Sequence, residues 1–317
     1  MRYIFIINPV AGNGKQQNEI VDLIQDNLKN KNIEYVIYIS KFKGDIQTYL
    51  NCILQDMISS VVYACGGDGT LHEVINAACN YNHVSIGVIP CGSGNDFIKN
   101  FINYSYFNDI ESQIQGSGIH LDLIRANDIY AASVCNIGLD ADAAFNMHKF
   151  KKIPFISGST RYYLAVIYCL INKLGKSLEI KVDDNIKINK SLLLGVMANG
   201  QFYGGGYKCA PLATVNDGIM DLCLVEKLSR LKIMSVIGVY KNGNHLENPN
   251  ISKYIYYKKC RHITLKSNEP LNICIDGESY IYQTVELSIK KDALRFWLPK
   301  GVQIQKIEEH IVNKTAI

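Results

Sequence analysis

"ACGGDGTLHEVIN", residues 64–76, places two glycines, an aspartate, a third glycine and a threonine directly behind the apolar run VVYAC (61–65). A helix-like pattern follows from about residue 71. Glycine weakens a strand unless another group must approach its backbone closely. A strand, a glycine loop and a helix start together present backbone N–H groups and the positive end of a helix dipole, which suits an anion such as phosphate. Working outward, YIFII (3–7), YVIYI (35–39) and VSIGVI (84–89) are further short apolar runs. Such runs are expected of parallel strands covered on both faces. Between them Ile20, Ile24 and Leu28, with Val21 alongside, mark one helix face, and Ile46, Leu50, Ile53, Leu54 and Met57 mark another over 45–58. This alternation predicts an α/β domain built on a parallel sheet with right-handed crossovers.

After about residue 118 the pattern changes. LLLGVMANG, MDLCLVE, HITLKS, LNICID, VELSI and LRFWL read as short strands separated by turn residues, with helical stretches only near 160–174 and 229–242. That reads as a mostly antiparallel β-sandwich domain, so the chain is α+β overall. The expected division is 1–119 for the α/β domain, rejoined by 299–317, and 120–298 for the β-rich domain. The tail 302–313 fits strand or helix equally.

The chain has 317 residues, enough for two cores, and a net charge of +4. That mild excess is too weak to argue for nucleic acid and is compatible with anionic ligands or an anionic membrane surface. Ten cysteines are scattered without a C-x-x-C pair, which argues against zinc and for small core residues in a reducing cytoplasm. The first residues, MRYIFIINPVAG, run into a turn and read as a strand rather than a signal peptide. The most apolar later segment, YYLAVIYCLINKL (162–174), is too short to cross ~30 Å of hydrocarbon. No transmembrane segment is expected, and any membrane role is peripheral.

Three glycine-bearing turns fall at the carboxyl ends of predicted parallel strands: NPVAGNGK (8–15), GGDGT (66–70) and PCGSGNDF (90–97). Open α/β sheets bind ligands there. The first turn is not a Walker A loop, because Gln16 follows Lys15 where Ser or Thr is needed. Asp68 lies within the second turn, Asp96 follows the third, and Asp122 interrupts the apolar run in HLDL. Three acids near a polyphosphate would repel it unless Mg²⁺ bridges them, since Mg²⁺ takes few carboxylates and keeps waters. The pattern favours nucleoside triphosphate chemistry.

Together, NPVAGNGK, GGDGTLHEVIN and IPCGSGNDF resemble the diacylglycerol kinase catalytic-domain family, which includes bacterial soluble lipid kinases and sphingosine and ceramide kinases. ANGQFYGGGYKCAPLATVNDGIMDL (198–222) and IDGE (275–278) extend the likeness over essentially the whole chain. The resemblance implies that Asn8, Pro9, Val10, Ala11, Gly12, Ser40, Gly67, Asp68, Gly69, Thr70, Leu71, His72, Glu73 and Ser93 line an ATP site. It implies a water-linked network of Asp68, Asp96 and Asp122 near a catalytic Mg²⁺. Asp217, with the carbonyls of Thr214 and Ile219, would hold a second, structural Mg²⁺. Glu278 or Asp276 would be the general base; without the resemblance, NDG (216–218) and DGE (276–278) read as turns. Position 93 departs slightly from the family in being Ser followed by Gly, and it keeps a hydroxyl.

The implied reaction is phosphoryl transfer from ATP to a lipid hydroxyl, with diacylglycerol the leading acceptor. The implied partner is a lipid substrate at a membrane surface, and the implied location is cytoplasmic with peripheral membrane association. A homodimer is compatible with the sequence, which does not decide oligomeric state. YGGGYK (203–208) is a candidate rim loop, and Lys149, Lys151 and Lys152 are candidate contacts to anionic headgroups. Two competing readings are an NAD kinase-like phosphotransferase, which shares a GGDGT loop, and a non-catalytic nucleotide-sensing module, which the retained acids oppose.

Overall fold

The computed structural model describes residues 1–11, 16–150, 158–172, 175–183 and 185–307. In chain order the first elements are β1 (Arg2–Ile7), α1 (Gln16–Leu28), β2 (Tyr35–Ile39), α2 (Asp45–Ile53), β3 (Ser60–Gly66), α3 (Asp68–Ala78), β4 (Val84–Pro90), β5 (Phe101–Ile102) and α4 (Ile110–Ile114). They are followed by β6 (Ser117–Ala126), β7 (Ile129–Ala131), β8 (Val134–Gly138), α5 (Leu139–Asn146), α6 (Gly158–Ile171), β9 (Lys176–Val182), β10 (Ile186–Ala198), β11 (Phe202–Tyr203) and β12 (Tyr207–Lys208). The last are β13 (Met220–Glu226), α7 (Arg230–Lys241), β14 (Ile255–Cys260), β15 (His262–Ile275), β16 (Glu278–Leu298) and β17 (Gln303–Ile304).

The chain forms two compact units. One comprises Met1–Leu123 with Lys291–Gln305, the other Ile124–Lys290 with the tail from Lys306. The sequence places these boundaries at 119/120 and 298/299. They differ because β6 and β16 are unbroken strands, and each runs through a boundary with no turn residue to mark it.

In the first unit, β2, β1, β3 and β4 pair in parallel in that order, with Phe5 opposite both Ile37 and Tyr63. Phe296 of β16 pairs in parallel beside Ile86 of β4. The apolar face of α1 does what its four-residue spacing predicts: Ile20, Ile24 and Leu28 bury against Tyr3, Phe5, Ile7 and Tyr63. Tyr63 stacks on Phe5 at 4.9 Å between ring centres. Gly87 of β4 makes room for that ring, because a β-carbon there would lie 2.5 Å from it. The Tyr63 hydroxyl and the Trp297 indole N–H both donate to the Gln113 carbonyl, at 3.1 and 2.7 Å, so α4 is fastened to the sheet by a buried polar anchor.

The second unit is antiparallel, as expected. β10 pairs with β9 through its first half and with β8 through its second, and β15 does the same. Register shifts at Leu192/Leu194 and Lys266/Leu271 mark where each long strand changes partner from β9 to β8. Irregularities of this kind bend a strand at a sandwich corner. The runs HITLKS and LNICID are therefore one strand, β15, and VELSI and LRFWL belong to one strand, β16. One core fills the sandwich, with Ile137, Ile180, Leu222 and Ile273 among its members. A second packs helices α5, α6 and α7 on β8, β10 and β13. Helix α5 is absent from the sequence expectation, since LDADAAFN is short and has no wide apolar stripe. In the tail, Gln303–Ile304 pairs with Phe101–Ile102 as strand.

Nine of the ten cysteines are buried or half-buried, and all are free thiols. Burial pushes the thiols of Cys223, Cys260 and Cys274 up to about 12, so they stay protonated and act as core residues. Among the described residues no helix is long and apolar enough to cross a membrane.

Candidate active site

The second and third glycine turns lie at the carboxyl ends of β3 and β4, and the described start of the first turn, Asn8–Ala11, follows β1 on the same rim of the first unit's sheet. Asn8 joins the first turn to the second. Its side-chain oxygen accepts from the Val10 N–H at 3.1 Å, and its amide donates to the Thr70 hydroxyl at 3.1 Å. Thr70 points back over Gly66, where a β-carbon would lie 2.2 Å from that hydroxyl oxygen. Gly67 caps α3 in an extended conformation, and its carbonyl accepts the N–H groups of Thr70 and Leu71. The positive end of the helix dipole is thereby set at Gly67–Gly69.

The second and third turns touch through bare backbone. A β-carbon on Gly92 would meet the Gly67 Cα at 2.5 Å. Asn95 shapes the third turn from a left-handed conformation, φ 50°, which asparagine tolerates. Its side chain accepts from the Gly92 N–H at 3.0 Å and donates to the Gly92 carbonyl at 2.8 Å.

Asp68 locks these turns together. One carboxylate oxygen accepts from the N–H of Asp96 at 2.8 Å and of Phe97 at 3.3 Å. The Asp96 carboxylate is buried and accepts from the Lys99 ammonium at 2.6 Å. Asp122 is also buried and accepts from the Asp292 N–H at 2.8 Å. Asp292 is left-handed, φ 57°, so Asp122 secures a local irregularity in β16.

The other expected nucleotide residues divide by exposure. Val10 and Ser93 are exposed, and Pro9, Ala11, Gly67, Gly69 and Glu73 are half-buried. Ser40 is buried, and its N–H bonds to the Ile7 carbonyl. Thr70, Leu71 and His72 are buried. Gly12 lies outside the described residues, as do Lys151 and Lys152.

In the second unit, DGE is the two-residue hairpin between β15 and β16. Ile275 pairs with Glu278, and Asp276 and Gly277 both have positive φ, 46° and 91°. This is the geometry of a type I′ turn. The Asp276 carboxylate accepts three backbone N–H groups, from Ala132 at 2.6 Å, Ser133 at 3.0 Å and Val134 at 2.9 Å. Asn199 holds the same loop through the Ala132 carbonyl. Glu278, at the exit of the turn, is half-buried. Tyr280 beside it is pushed up to about 12, first by burial and then by the Glu278 charge.

At the NDG turn, one Asp217 oxygen accepts from the Ile219 N–H at 3.1 Å and the other from the Lys259 ammonium at 3.0 Å. Lys259 also donates to Asp221 at 3.3 Å and to the Leu212 carbonyl at 3.2 Å. Burial pushes Asp221 up to about 6 against the pull of Lys259 and of the Tyr257 hydroxyl. Burial by itself would lower Lys259, but the charges of Asp221 and Asp217 outweigh it and raise its pKa. Positive charge for Asp217 thus comes from the chain itself, where the resemblance implies a second Mg²⁺.

Among the described residues, no three His, Cys, Asp or Glu side chains are grouped to hold a metal. Asp68 reaches the backbone N–H of Asp96, and Asp122 accepts from the Asp292 N–H.

Residues 2–126 match the diacylglycerol kinase catalytic domain. Residues 133–297 match the YegS C-terminal NAD kinase beta sandwich-like domain. The chain belongs to the diacylglycerol kinase catalytic-domain family. A protein named diacylglycerol kinase from Staphylococcus saprophyticus is 26% identical over 275 residues, spanning 86% of this chain and 87% of that one. One of the same name from Staphylococcus aureus is 26% identical over 275 residues, spanning 86% and 84%. A crystal structure of a diacylglycerol kinase from Bacillus anthracis superposes with a TM-score of 0.67, at 18% identity, over 94% of this chain and 97% of that one. At that identity the likeness establishes the fold.

Gly66, Gly92 and Asn95 lie within the expected rim turns without being singled out, and Lys99 and Lys259 were not expected at all. A signal existed for Asn95, because Gly-Asn before an acid marks a turn with a left-handed residue. None existed for Lys259, whose partners are about forty positions away.

Proposed function

We propose that this protein is an ATP-dependent lipid kinase that transfers the γ-phosphoryl group to a lipid hydroxyl, with diacylglycerol as the acceptor and phosphatidic acid as the product. The observation that carries the reading is the Gly67–Gly92 contact locked by Asp68. It makes a rim of bare backbone beside a helix N-terminus, with two carboxylates alongside. Backbone N–H groups and the helix dipole favour a polyphosphate there. The relatives named diacylglycerol kinase support the acceptor class.

The donor set suits Mg²⁺, a hard cation that prefers oxygen and binds through one or two carboxylates together with substrate phosphates. Asp68 and Asp96 would hold it, and the ion would neutralise charge on the β- and γ-phosphate oxygens. The glycine turns position the triphosphate. Glu278 accepts the proton of the lipid hydroxyl, whose oxygen bonds to the γ-phosphorus as the bond to the ADP oxygen breaks. Asp276 is not the base in this reading, because its carboxylate is committed to three backbone N–H groups and holds the loop beside the hairpin. Lipid phosphorylation brings the protein to a membrane surface as a peripheral partner.

The test is phosphate transfer from radiolabelled ATP to a panel of defined lipids in mixed micelles, with NAD included. Label in diacylglycerol, lost with Asp68→Asn in folded protein, supports the reading. Label in NAD, or nucleotide binding without transfer to any lipid, overturns it.

A further inference from the structure

Helices α6 and α7 each bury one face in a shared core. Ala165 and Cys169 of α6 pack in the same cluster as Ile233, Val236 and Tyr240 of α7. Their other faces are apolar as well, which the core does not require. On α6, Ile167 is 53% exposed and Ile171 74%. On α7, Leu231 is 81% exposed and Met234 69%, with Ile237 following on the same side. The start of α7 is tied to the end of α6. The Arg230 guanidinium donates to the carbonyls of Ile171 at 3.1 Å and Asn172 at 2.9 Å, so Leu231 begins where Ile171 ends.

Basic residues predominate along the two helices, with Glu226, Glu247 and Asp142 at the margins. Lys227, Arg230, Lys232 and Lys241 lie along α7 and its approach, and no Asp or Glu occurs in 158–171 or 227–246. Lys149 adds to it, with its ammonium 4.3 Å from the centre of the half-exposed Tyr168 ring of α6. Exposed apolar patches rimmed by polar groups mark protein or membrane contacts. A helix with lysine and arginine beside exposed Leu, Met and Ile suits the interface of an anionic bilayer. A second copy fits less well, because a two-fold contact sets the same basic rim against itself.

We infer that the exposed α6–α7 face is the surface by which this protein docks on an anionic lipid bilayer, with Ile171, Leu231 and Met234 entering the headgroup region. The inference deepens the lipid kinase reading and rests on it for the reason the surface exists. It adds an apolar helix pair to the expected contacts Lys149, Lys151 and Lys152, of which the last two lie outside the described residues.

The test is co-sedimentation of the full chain, without ATP, with vesicles of phosphatidylglycerol and phosphatidylcholine in equal parts and of phosphatidylcholine alone. Wild type should bind the anionic vesicles, more weakly as salt rises. The double variant Leu231→Glu, Met234→Glu should bind them about tenfold less, and Lys232→Gln, Lys241→Gln should lose most of the preference for phosphatidylglycerol. Both should retain wild-type turnover on a short-chain diacylglycerol dissolved as monomer, which separates docking from chemistry. Equal binding by wild type and the double Glu variant overturns the inference. So does a wild-type dimer that the Glu variant dissociates, which would make the face a contact between copies. If the Glu variant fails to fold, the lysine variant decides: unchanged preference for anionic vesicles overturns the inference.

Discussion

Gly92 rests against Gly67 with no space for a side chain, since a β-carbon on Gly92 would lie 2.5 Å from the Gly67 Cα and 2.9 Å from the Asn95 side-chain oxygen. Backbone cannot yield as a flexible side chain can, so Gly92→Ala must push the two turns apart. Overpacking costs about 1–3 kcal/mol, and a misplacement of about 1 Å near a reacting group can cost about 10²-fold in rate. Gly92→Ala is expected to lower kcat/KM for ATP by about that factor while circular dichroism stays native. Gly118→Ala is the control, because its β-carbon would meet only the Ser85 hydroxyl at 3.9 Å. Equal kinetics for both variants would show that the Gly67–Gly92 contact does not shape the site.

The hairpin acids separate stability from chemistry. Asp276→Asn keeps one acceptor oxygen but turns an NH₂ toward one of three N–H groups, so it should destabilise by about 2 kcal/mol. Glu278→Gln should leave the unfolding midpoint in denaturant unchanged and reduce kcat by about 10²–10⁴-fold, the span for a positioned base. The reverse pattern, with Asp276→Asn stable and inactive and Glu278→Gln active, would exchange the two roles.

The parallel sheet, the helices that pack on it and the antiparallel second unit were legible because their signals are periodic and local. Continuous apolar runs gave β1, β2, β3 and β4, and four-residue spacing gave α1. The rim was legible as three glycine turns, but the reason for two of its glycines was not. Gly67 and Gly92 need each other across two loops, and single-chain spacing does not report such a contact. Asp122 and Asp276 were legible as candidate site acids, but the backbone N–H groups they accept from were not, because an acid in an apolar or turn setting looks the same whatever it bonds. Their partners, Asp292 and residues 132–134, lie more than a hundred positions away. Strand continuity was also hidden: turn-like residues at Ser267–Pro270 break the apolar run without breaking β15.

His245 makes folding sensitive to acid. The ring is fully buried and sits 4.7 Å from the Tyr240 ring, and burial lowers it to about 4 despite the carbonyls of Tyr240 and Cys209. The unfolded chain binds a proton near the ordinary value of about 6.5, so between 6.5 and 4 it holds more protons than the folded chain. Stability from this residue is therefore complete above pH 6.5 and declines as pH falls toward 4, by at most about 3 kcal/mol. Urea unfolding of wild type from pH 7 to 4.5 should show this slope, and His245→Gln should flatten it. A parallel decline in both proteins would assign the acid sensitivity elsewhere.

Lys259 supplies positive charge to two carboxylates, one of them, Asp221, fully buried. Lys259→Met leaves that charge without its ammonium, and breaking a buried pair from one side costs about 3–5 kcal/mol. Asp221 then has stronger reason to take up a proton, so the variant should lose less stability at pH 5 than at pH 8. Because the lysine already neutralises Asp217, a chelator should leave the wild-type melting temperature unchanged. In Lys259→Met a divalent ion can enter in the ammonium's place, and added Mg²⁺ should raise the melting temperature by mass action on the folded state. A wild-type melting temperature that falls by several degrees on chelation, and recovers with Mg²⁺ in the absence of nucleotide, would show that Asp217 holds a metal ion alongside Lys259.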